Sequence, residues 1–566
     1  MQTASLLRRI RDPWGAAAGL FLAGLCAFLA LRAAAPFRWS DWGFADAQAM
    51  LSLRQWDEGG WLANHLLFKP QGYAAVIDLL DEPPLRHHAH GTSPKTSPRV
   101  GPRLLYTHYP SGHLLPYAAL FRLGLKDIVA ARMLSLLLSI GALALMFLAF
   151  SRLTGPPVAF LAVLFYGLSP SFLGYADSLV NQPIDDLLRF ACMLSVILAG
   201  RASDPRARRR RLAAAWGLEF LLSLVSYDSV FFVYAWLVGF DLLERRGFRW
   251  KTYLVFALAP VAAHSLQLLQ NVSYLGWKDA LTDIQDSFLI KHGAGNKAGR
   301  LFSVLSSTAW LLDRLFRPGL LAPPALALYV AARRLLPGEK GLPPLGLLGV
   351  LFVCGWAFVI VLPQAARMAY QPRQFLPFAS LLAGAFTWSL VPLAGRLRET
   401  RVRAVLPLQA ALAIALWWRF SSASRTPFYN VSPAIPDVAL ALELRRLPTT
   451  RDPVYFSLGA CEGFLNPEYV PGYPQIHPIT EVYAGSRPIL CFRRPADAAT
   501  DLAFMARRGG ERFSPVLVSR EPGPILNTAT LLQDEGLLGP GELRLLVVHS
   551  WFVLDLTGRL RTSQSP

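Results

Sequence analysis

The chain has 566 residues, 53% of them hydrophobic and only 16% Asp, Glu, Lys or Arg, with a mean hydropathy of +0.35. A soluble protein carries about 25% charged residues, so this composition excludes an ordinary soluble enzyme and reads as a polytopic membrane protein. The formal charge of +19 does not indicate a nucleic-acid partner, because the arginines sit in short patches between apolar runs and build no basic face.

A membrane-crossing helix needs roughly 20 apolar residues. Such runs fall at 14–35, 127–150, 156–174, 184–200, 212–227, 229–243, 252–271, 318–333, 344–363, 374–394 and 402–420, which predicts eleven spans. The basic stretches "LLRRIR", "RASDPRARRRR", "ERRGFRWK", "RRLLPGEK" and "RLRETRVR" all fall on one side if the N-terminus is cytoplasmic. The opposite connections "YADSLVNQP" and "SYDS" hold no Lys or Arg. The bias of Lys and Arg toward the cytoplasm therefore places the N-terminus inside and the C-terminus outside. A cleaved signal peptide ending near "LRAAAPF" is the competing reading of the first run, and its apolar stretch is long for one.

The predicted fold is mainly α. A transmembrane domain covers 1–420, including outer loops 36–126 and 272–317, and a small extracytoplasmic α/β domain covers 421–566. In the first loop, "AMLSLRQWDEGGWLANHLLF" and "HLLPYAALFRLG" carry apolar residues at helical spacing and read as interfacial helices. His87, His88 and His90 lie in a Pro- and Gly-rich basic stretch without ligand spacing, and read as solvated loop rather than metal site. In the second loop, "KHGAGNKAGR" precedes an amphipathic helix and reads as a lid or a connector. In the tail, "PVYFSLG" and "SPVLVSRE" read as strands, "DVALALELRRL" and "AATDLAFMARRG" as helices, and "LRLLVVHSWFVLDL" as one or two strands. Of five cysteines, Cys461 and Cys491 lie in this tail and would pair in an oxidising compartment.

Polar residues converge on the outer interface. They are Asp41, Asp46 and Lys69; His108, Tyr109 and His113 of "YTHYPSGH"; Asp177 and Asn181; and Arg367 and Arg373 of "PQAARMAYQPRQFLPF". Ionisable groups at that depth are costly enough to indicate function. Arginine grips a lipid phosphate through its planar fork, and a carboxylate takes the proton of an attacking hydroxyl. Together they suit sugar transfer from a lipid phosphate, with Asp41 or Asp46 as base. Arg373, Arg367, Lys69 and His108 would hold the phosphate, and Tyr109, His113, Asp177 and Asn181 the substrate. Asp185 and Asp186 follow Pro183 and read as acids at a helix N-terminus. Glu219 and His264, within spans, read as a structural pair or a proton relay.

With "SDWGFADA" after the first span, "YTHYPSGHLLPYAALFRLG" before the second, "SPSFLGYADSLVNQP" closing the third and "RQFLPFASLLAG" opening a late one, the chain resembles the GT-C glycosyltransferases. That group includes protein O-mannosyltransferases and aminoarabinose transferases. The resemblance covers roughly residues 10–420. It implies inverting transfer from a polyprenyl-phosphate sugar, with the acid of the first loop as base: Asp41, or Asp46 in its place. Many members have an Asp-Glu pair where this chain has Asp41-Trp42, which leaves the two aspartates as alternatives.

The sequence reading is therefore a membrane glycosyltransferase whose partners are a polyprenyl-phosphate sugar donor, membrane lipid and a hydroxyl acceptor. No cofactor or metal is expected. The Ala, Leu and Arg bias suits a bacterial inner membrane. The alternatives are a flippase for lipid-linked sugars, which predicts inverted repeats and broken helices; a ligase-like glycan transferase relying on Arg367; and a non-catalytic scaffold. "Asn271-Val-Ser" and "Asn430-Val-Ser" match the glycosylation sequon, a pattern short enough to arise by chance.

Overall fold

The computed structural model describes residues 13–35, 38–40, 43–67, 107, 109–244, 247–292, 297–316, 321–339, 341–363, 366, 371–420, 431–433, 435–447, 452–458, 478–484, 489–492, 494–509, 513–539, 541, 543–557 and 559–560. The chain opens with helix α1 (Pro13–Ala33), a short strand β1 (Arg38–Ser40), α2 (Gly43–Gly59) and α3 (Leu115–Arg122). There follow α4 (Ile128–Leu153), α5 (Pro156–Gly167), α6 (Pro170–Leu173), α7 (Gln182–Gly200), α8 (Pro205–Ser223), α9 (Asp228–Leu243) and α10 (Trp250–Leu275). The second half of the bundle is α11 (Trp277–His292), α12 (Lys297–Phe316), α13 (Ala322–Leu335), α14 (Leu345–Val361), α15 (Leu376–Ala394) and α16 (Thr400–Phe420). The tail contributes β2 (Val431–Pro433), α17 (Ile435–Arg446), β3 (Asp452–Leu458), α18 (Pro478–Tyr483), β4 (Ile489–Phe492), α19 (Pro495–Gly509), β5 (Phe513–Ser519), α20 (Pro522–Asp534), β6 (Leu545–Val548) and β7 (Trp551–Asp555).

A helix lies over each of the eleven apolar runs. Four of them, α1, α4, α10 and α15, are long and apolar enough to cross a membrane by length and composition, and α5 and α14 are shorter apolar helices. The starts of several are fixed by local chemistry. Asp127 caps α4 by accepting from the Ala130 amide at 2.8 Å. Asp204 caps α8 by accepting from Arg206 and Ala207 at 3.0 and 3.1 Å. Such caps satisfy amides that have no partner inside the helix. The third apolar run is not one helix. Ser169 accepts from the Phe172 amide and Pro170 follows it, so the run breaks after Gly167 and restarts as α6.

α15 crosses α5 closely. A Cβ on Gly384 would stand 2.7 Å from the Ala162 amide nitrogen and 3.1 Å from the Val158 carbonyl oxygen. The glycine is what lets the two backbones meet. Around this crossing one apolar core takes in Phe150, Phe165, Phe190, Trp236, Leu351 and Phe386.

The first loop and the tail are joined. β1 pairs antiparallel with β2, Ser40 opposite Val431 and Trp39 opposite Ser432. Met50 and Trp56 of α2, Tyr117 of α3, Leu179, Val438 of α17 and Val482 of α18 share one buried cluster. α2 ends at Gly59, and Gly60 after it has φ +83°. The tail's larger sheet runs β4-β3-β5-β7-β6, with β3, β4 and β5 parallel and β6 and β7 antiparallel. Helix α19 supplies the crossover between the non-adjacent parallel strands β4 and β5, which no tight turn can make. The strands and helices read from the tail sequence are all present, and "LRLLVVHSWFVLDL" is two strands.

Gly384→Ala is expected to destabilise the bundle by roughly 1–3 kcal/mol, because the neighbours in its way are backbone. Gly349→Ala in α14, whose Cβ would meet nothing within 4 Å, is expected to leave the melting temperature unchanged. Thermal unfolding of the detergent-solubilised variants checks both.

Candidate functional site

Polar side chains gather at the end of the bundle where α7 and α9 begin and α15 is entered. Arg373 lies in the single 3-10 turn Gln371–Gln374 before α15 and is 1% exposed. Its Nη1 donates to Asp185 Oδ2 and lies 3.5 Å from Asp186 Oδ1. Ser229 at the start of α9 donates to the same Asp185 oxygen at 2.8 Å. Arg189, one turn on from the two aspartates, pairs with Asp186 and donates to Gln374 Oε1 at 2.9 Å. Tyr166 closes the layer by donating to Asp186 Oδ2 at 2.9 Å. Gln371 donates to Asp228.

Ionic groups taken out of water need partners on every side, and removing one partner costs about 3–5 kcal/mol by stranding the other. This layer meets that demand in part: among the described residues Asp185 Oδ1, Arg189 Nε and Gln371 Oε1 each lack a partner. Arg373 is the one that lacks two adjacent donors. Arg373 Nε and Nη2 have no partner among the described residues. These two donors form one edge of the guanidinium, the edge that can grip two oxygens of a phosphate or carboxylate together. The aspartates hold the other end of the group and leave this edge unused.

A second group ties the first loop to the connection before α7. Asp46, in the first turn of α2 and fully buried, accepts from Ser178 Oγ and from the Leu179 amide, the latter at 2.8 Å. Burial pushes its carboxyl up to about 6, although Arg132 and these two donors pull it back. Arg32 at the end of α1 forms a buried pair with Asp177. Arg132 donates to the Ala35 carbonyl at 3.2 Å. A third group surrounds the far end of α10. Gln267 and Asn271 donate to the Thr107 carbonyl at 3.3 and 3.2 Å, Tyr227 donates to Gln267, and the Tyr227 ring lies 6.3 Å from Tyr109 and 4.9 Å from His264.

The residues singled out in the sequence separate as follows. Asp46, Tyr109, His113, Asp177, Asn181 and Arg373 all lie at this end of the bundle; Asp41, Lys69, His108 and Arg367 fall outside the described residues, as do His87, His88, His90, Asn430 and Cys461. Asp177 turns toward Arg32, and Asn181 donates to the Val225 carbonyl at 3.5 Å. His113 is buried with Nδ1 3.2 Å from the Pro110 carbonyl, and burial lowers it to about 4, so it is neutral at pH 7. Asp185 and Asp186 do not act as caps. The cap position of α7 is Asn181, without a side-chain cap bond, and both acids face the ionic layer instead. Glu219 and His264 are not joined by a hydrogen bond: both Glu219 oxygens and His264 Nδ1 are without partners among the described residues. Asn271 is 1% exposed and donates inward, so its sequon is closed to a transferase in the folded chain. Among the described residues no three His, Cys, Asp or Glu side chains form a metal-binding group.

Sequence reading missed Tyr166, Arg189 and Gln374. Arg189 had a signal: Asp185, Asp186 and Arg189 in "DDLLR" share one helical face, and an arginine inside an apolar run requires a partner.

No protein-family model matches the chain, and no curated protein matches it by sequence. Its fold is that of the multi-span GT-C membrane glycosyltransferases. One solved structure with this fold is ArnT from Cupriavidus metallidurans bound to undecaprenyl phosphate, 13% identical, with a TM-score of 0.57 over 97% of this chain and 99% of that one. The archaeal oligosaccharyltransferase AglB from Archaeoglobus fulgidus, in complex with an inhibitory peptide and a dolichol-phosphate, overlaps at 11% identity and a TM-score of 0.41 over 82% of this chain and 68% of that one.

The buried Asp46 carboxyl gives a pH prediction. Its folded-state value lies above the model-peptide value of 3.8, so the folded protein binds the proton more tightly and this group's contribution to stability falls as pH rises from about 4 to 6. Asp46→Asn cannot ionise. Relative to wild type it is expected to gain on the order of 3 kcal/mol between pH 4 and pH 7, read as the change in the melting-temperature difference across that range.

Proposed function

We propose that this chain transfers a sugar from a polyprenyl-phosphate donor to a hydroxyl acceptor at the non-cytoplasmic face of a bacterial inner membrane, with inversion. The observation that carries this reading is the buried Arg373 edge, Nε and Nη2, without a partner among the described residues. It occurs in a fold shared with a protein that holds undecaprenyl phosphate. A buried unsatisfied donor costs about 1–3 kcal/mol, and a lipid phosphate oxygen pair supplies what it lacks.

Asp41 is assigned as the base. In the sequence it follows Ser40, the last residue of β1, and precedes α2. Asp46 is the weaker candidate, because it is fully buried and accepts from Ser178 and Leu179; it positions α2. In the transfer, the acceptor oxygen bonds to the anomeric carbon from the face opposite the phosphate. The bond from that carbon to the phosphate oxygen breaks, its electron pair stays on the phosphate, and the acceptor proton passes to Asp41. A positioned base contributes on the order of 10²–10⁴ in rate, and the Arg373 fork stabilises the charge growing on the phosphate.

Asp185, Asp186 and Asp228 outnumber Arg189 and Arg373 in the layer. A phosphate therefore needs further cations beside Arg373. Lys69, Arg367 and His108 take that role in this proposal, with Tyr109 and His113 near the sugar. The tail from 421 onward faces the same compartment and meets the acceptor.

The test is donor consumption by the purified chain in lipid nanodiscs supplied with a polyprenyl-phosphate sugar and a hydroxyl acceptor. Asp41→Asn is expected to lower turnover by at least about 100-fold while undecaprenyl-phosphate binding is retained. Arg373→Lys, which loses the fork, is expected to weaken that binding. Wild-type turnover in Asp41→Asn would overturn the assignment of the base. Donor moved across the bilayer without being consumed would replace the enzyme reading with a flippase.

A further inference from the structure

At the opposite end of the bundle, where α8 and α10 begin, a cavity of about 530 Å³ lies between these two helices. Leu212, Ala213 and Trp216 line it from α8, and Lys251, Thr252 and Val255 from α10. The Trp216 indole donates to the Val255 carbonyl at 3.0 Å and fixes the ring against α10. Leu254, Val255 and Leu258 are 58%, 54% and 54% exposed on a helix apolar enough to cross a membrane, so this face is turned to lipid.

The rim is basic and uncompensated. Arg208 and Arg209 stand one helical turn before Leu212 and Ala213 and so share their face. Lys251 is exposed at the start of α10, beside the exposed Trp250 ring. The nearby acids are committed elsewhere: Asp204 caps α8 and Asp241 pairs with Arg249. Arg211 donates to the Leu198 carbonyl. Among the described residues no carboxylate pairs with Arg208, Arg209 or Lys251. An apolar slot facing lipid, with unpaired cations at its headgroup end and a hydroxyl from Thr252, matches one class of ligand.

We propose that this groove is a binding site for one anionic phospholipid. Its phosphate meets Lys251, Arg208 and Arg209, and an acyl chain lies along Leu212, Trp216 and Val255. A basic pocket between spans at a membrane face is suited to an anionic headgroup. The site is separate from the Arg373 layer: Lys251 and Gln267, at the two levels, are about 24 Å apart by the rise of α10. The proposal rests on the membrane reading of α8 and α10, not on the transfer reaction.

The experiment uses the full chain in detergent micelles, with phosphatidylglycerol and phosphatidylcholine of the same acyl chains added in turn, read by native mass spectrometry and melting temperature. Phosphatidylglycerol is expected to be retained about tenfold better and to raise the melting temperature, and soluble glycerol phosphate is expected not to displace it. The triple variant Arg208→Glu, Arg209→Glu, Lys251→Glu is expected to lose the preference. Ala213→Trp, which fills the slot and keeps the charges, is expected to lose retention while donor transfer is unaffected. Equal retention of the two lipids, displacement by glycerol phosphate, or wild-type retention in both variants would overturn the proposal. So would a lipid-independent dimer broken by Ala213→Trp, which would assign the groove to a second copy of the chain.

Discussion

The bundle end depends on burying the Arg373 guanidinium. An arginine stays charged at any pH a protein meets, so it cannot escape its desolvation by losing a proton. The fold must bring carboxylates to it. Asp185, distant in sequence, does so from the start of α7, and Ser229 holds the same oxygen from the start of α9. The ion pair and this hydrogen bond together tie α7 and α9 to the turn before α15. Arg189 extends the layer to Tyr166 and to Gln374 beside Arg373 itself. Such a layer is weak evidence of extra stability, since apolar packing of equal volume often does as well. It is better suited to orientation: it holds a charged fork in one pose with one edge to spare.

The first loop and the tail pack on each other. Asp46 anchors α2 by accepting from the Ser178 hydroxyl and the Leu179 amide. β2 holds β1 in antiparallel register, and Val438 and Val482 pack against Met50 and Trp56. β1 is thus paired with the tail and α2 packed on it. This makes the tail part of the architecture that holds β1 and α2. The Thr107 backbone is held by Gln267 and Asn271 of α10.

How much of this was legible follows from range. Apolar runs declare helices because a span must satisfy its backbone internally, and a helix lies over all eleven of them. The tail strands declared themselves through β-branched and aromatic alternation, as in Val516 to Val518 and Trp551 to Val553, buried in the sheet. The break at Ser169-Pro170 was written in the sequence and passed over, because hydropathy alone does not register a cap. The three-residue strands β1 and β2 are too short for any pattern. The site was half legible. Arg373 and Asp177 stood out as charges at span ends, yet their partners Asp185 and Arg32 are separated from them by 188 and 145 positions. Next to Pro183, the acids of α7 satisfied a local explanation, and nothing in a single sequence reveals that a distant guanidinium claims them.

The two ends of the bundle use positive charge differently. At one end arginines are buried and paired; at the other, Arg208, Arg209 and Lys251 pair with no carboxylate among the described residues. The central claim concerns the buried end, and a cryo-electron microscopy map of the full chain in nanodiscs with undecaprenyl phosphate addresses it most directly. The account predicts phosphate density within about 3 Å of Arg373 Nε and Nη2, with Asp185 still bonded to Nη1. A phosphate seated elsewhere, with that guanidinium edge still bare, would contradict it.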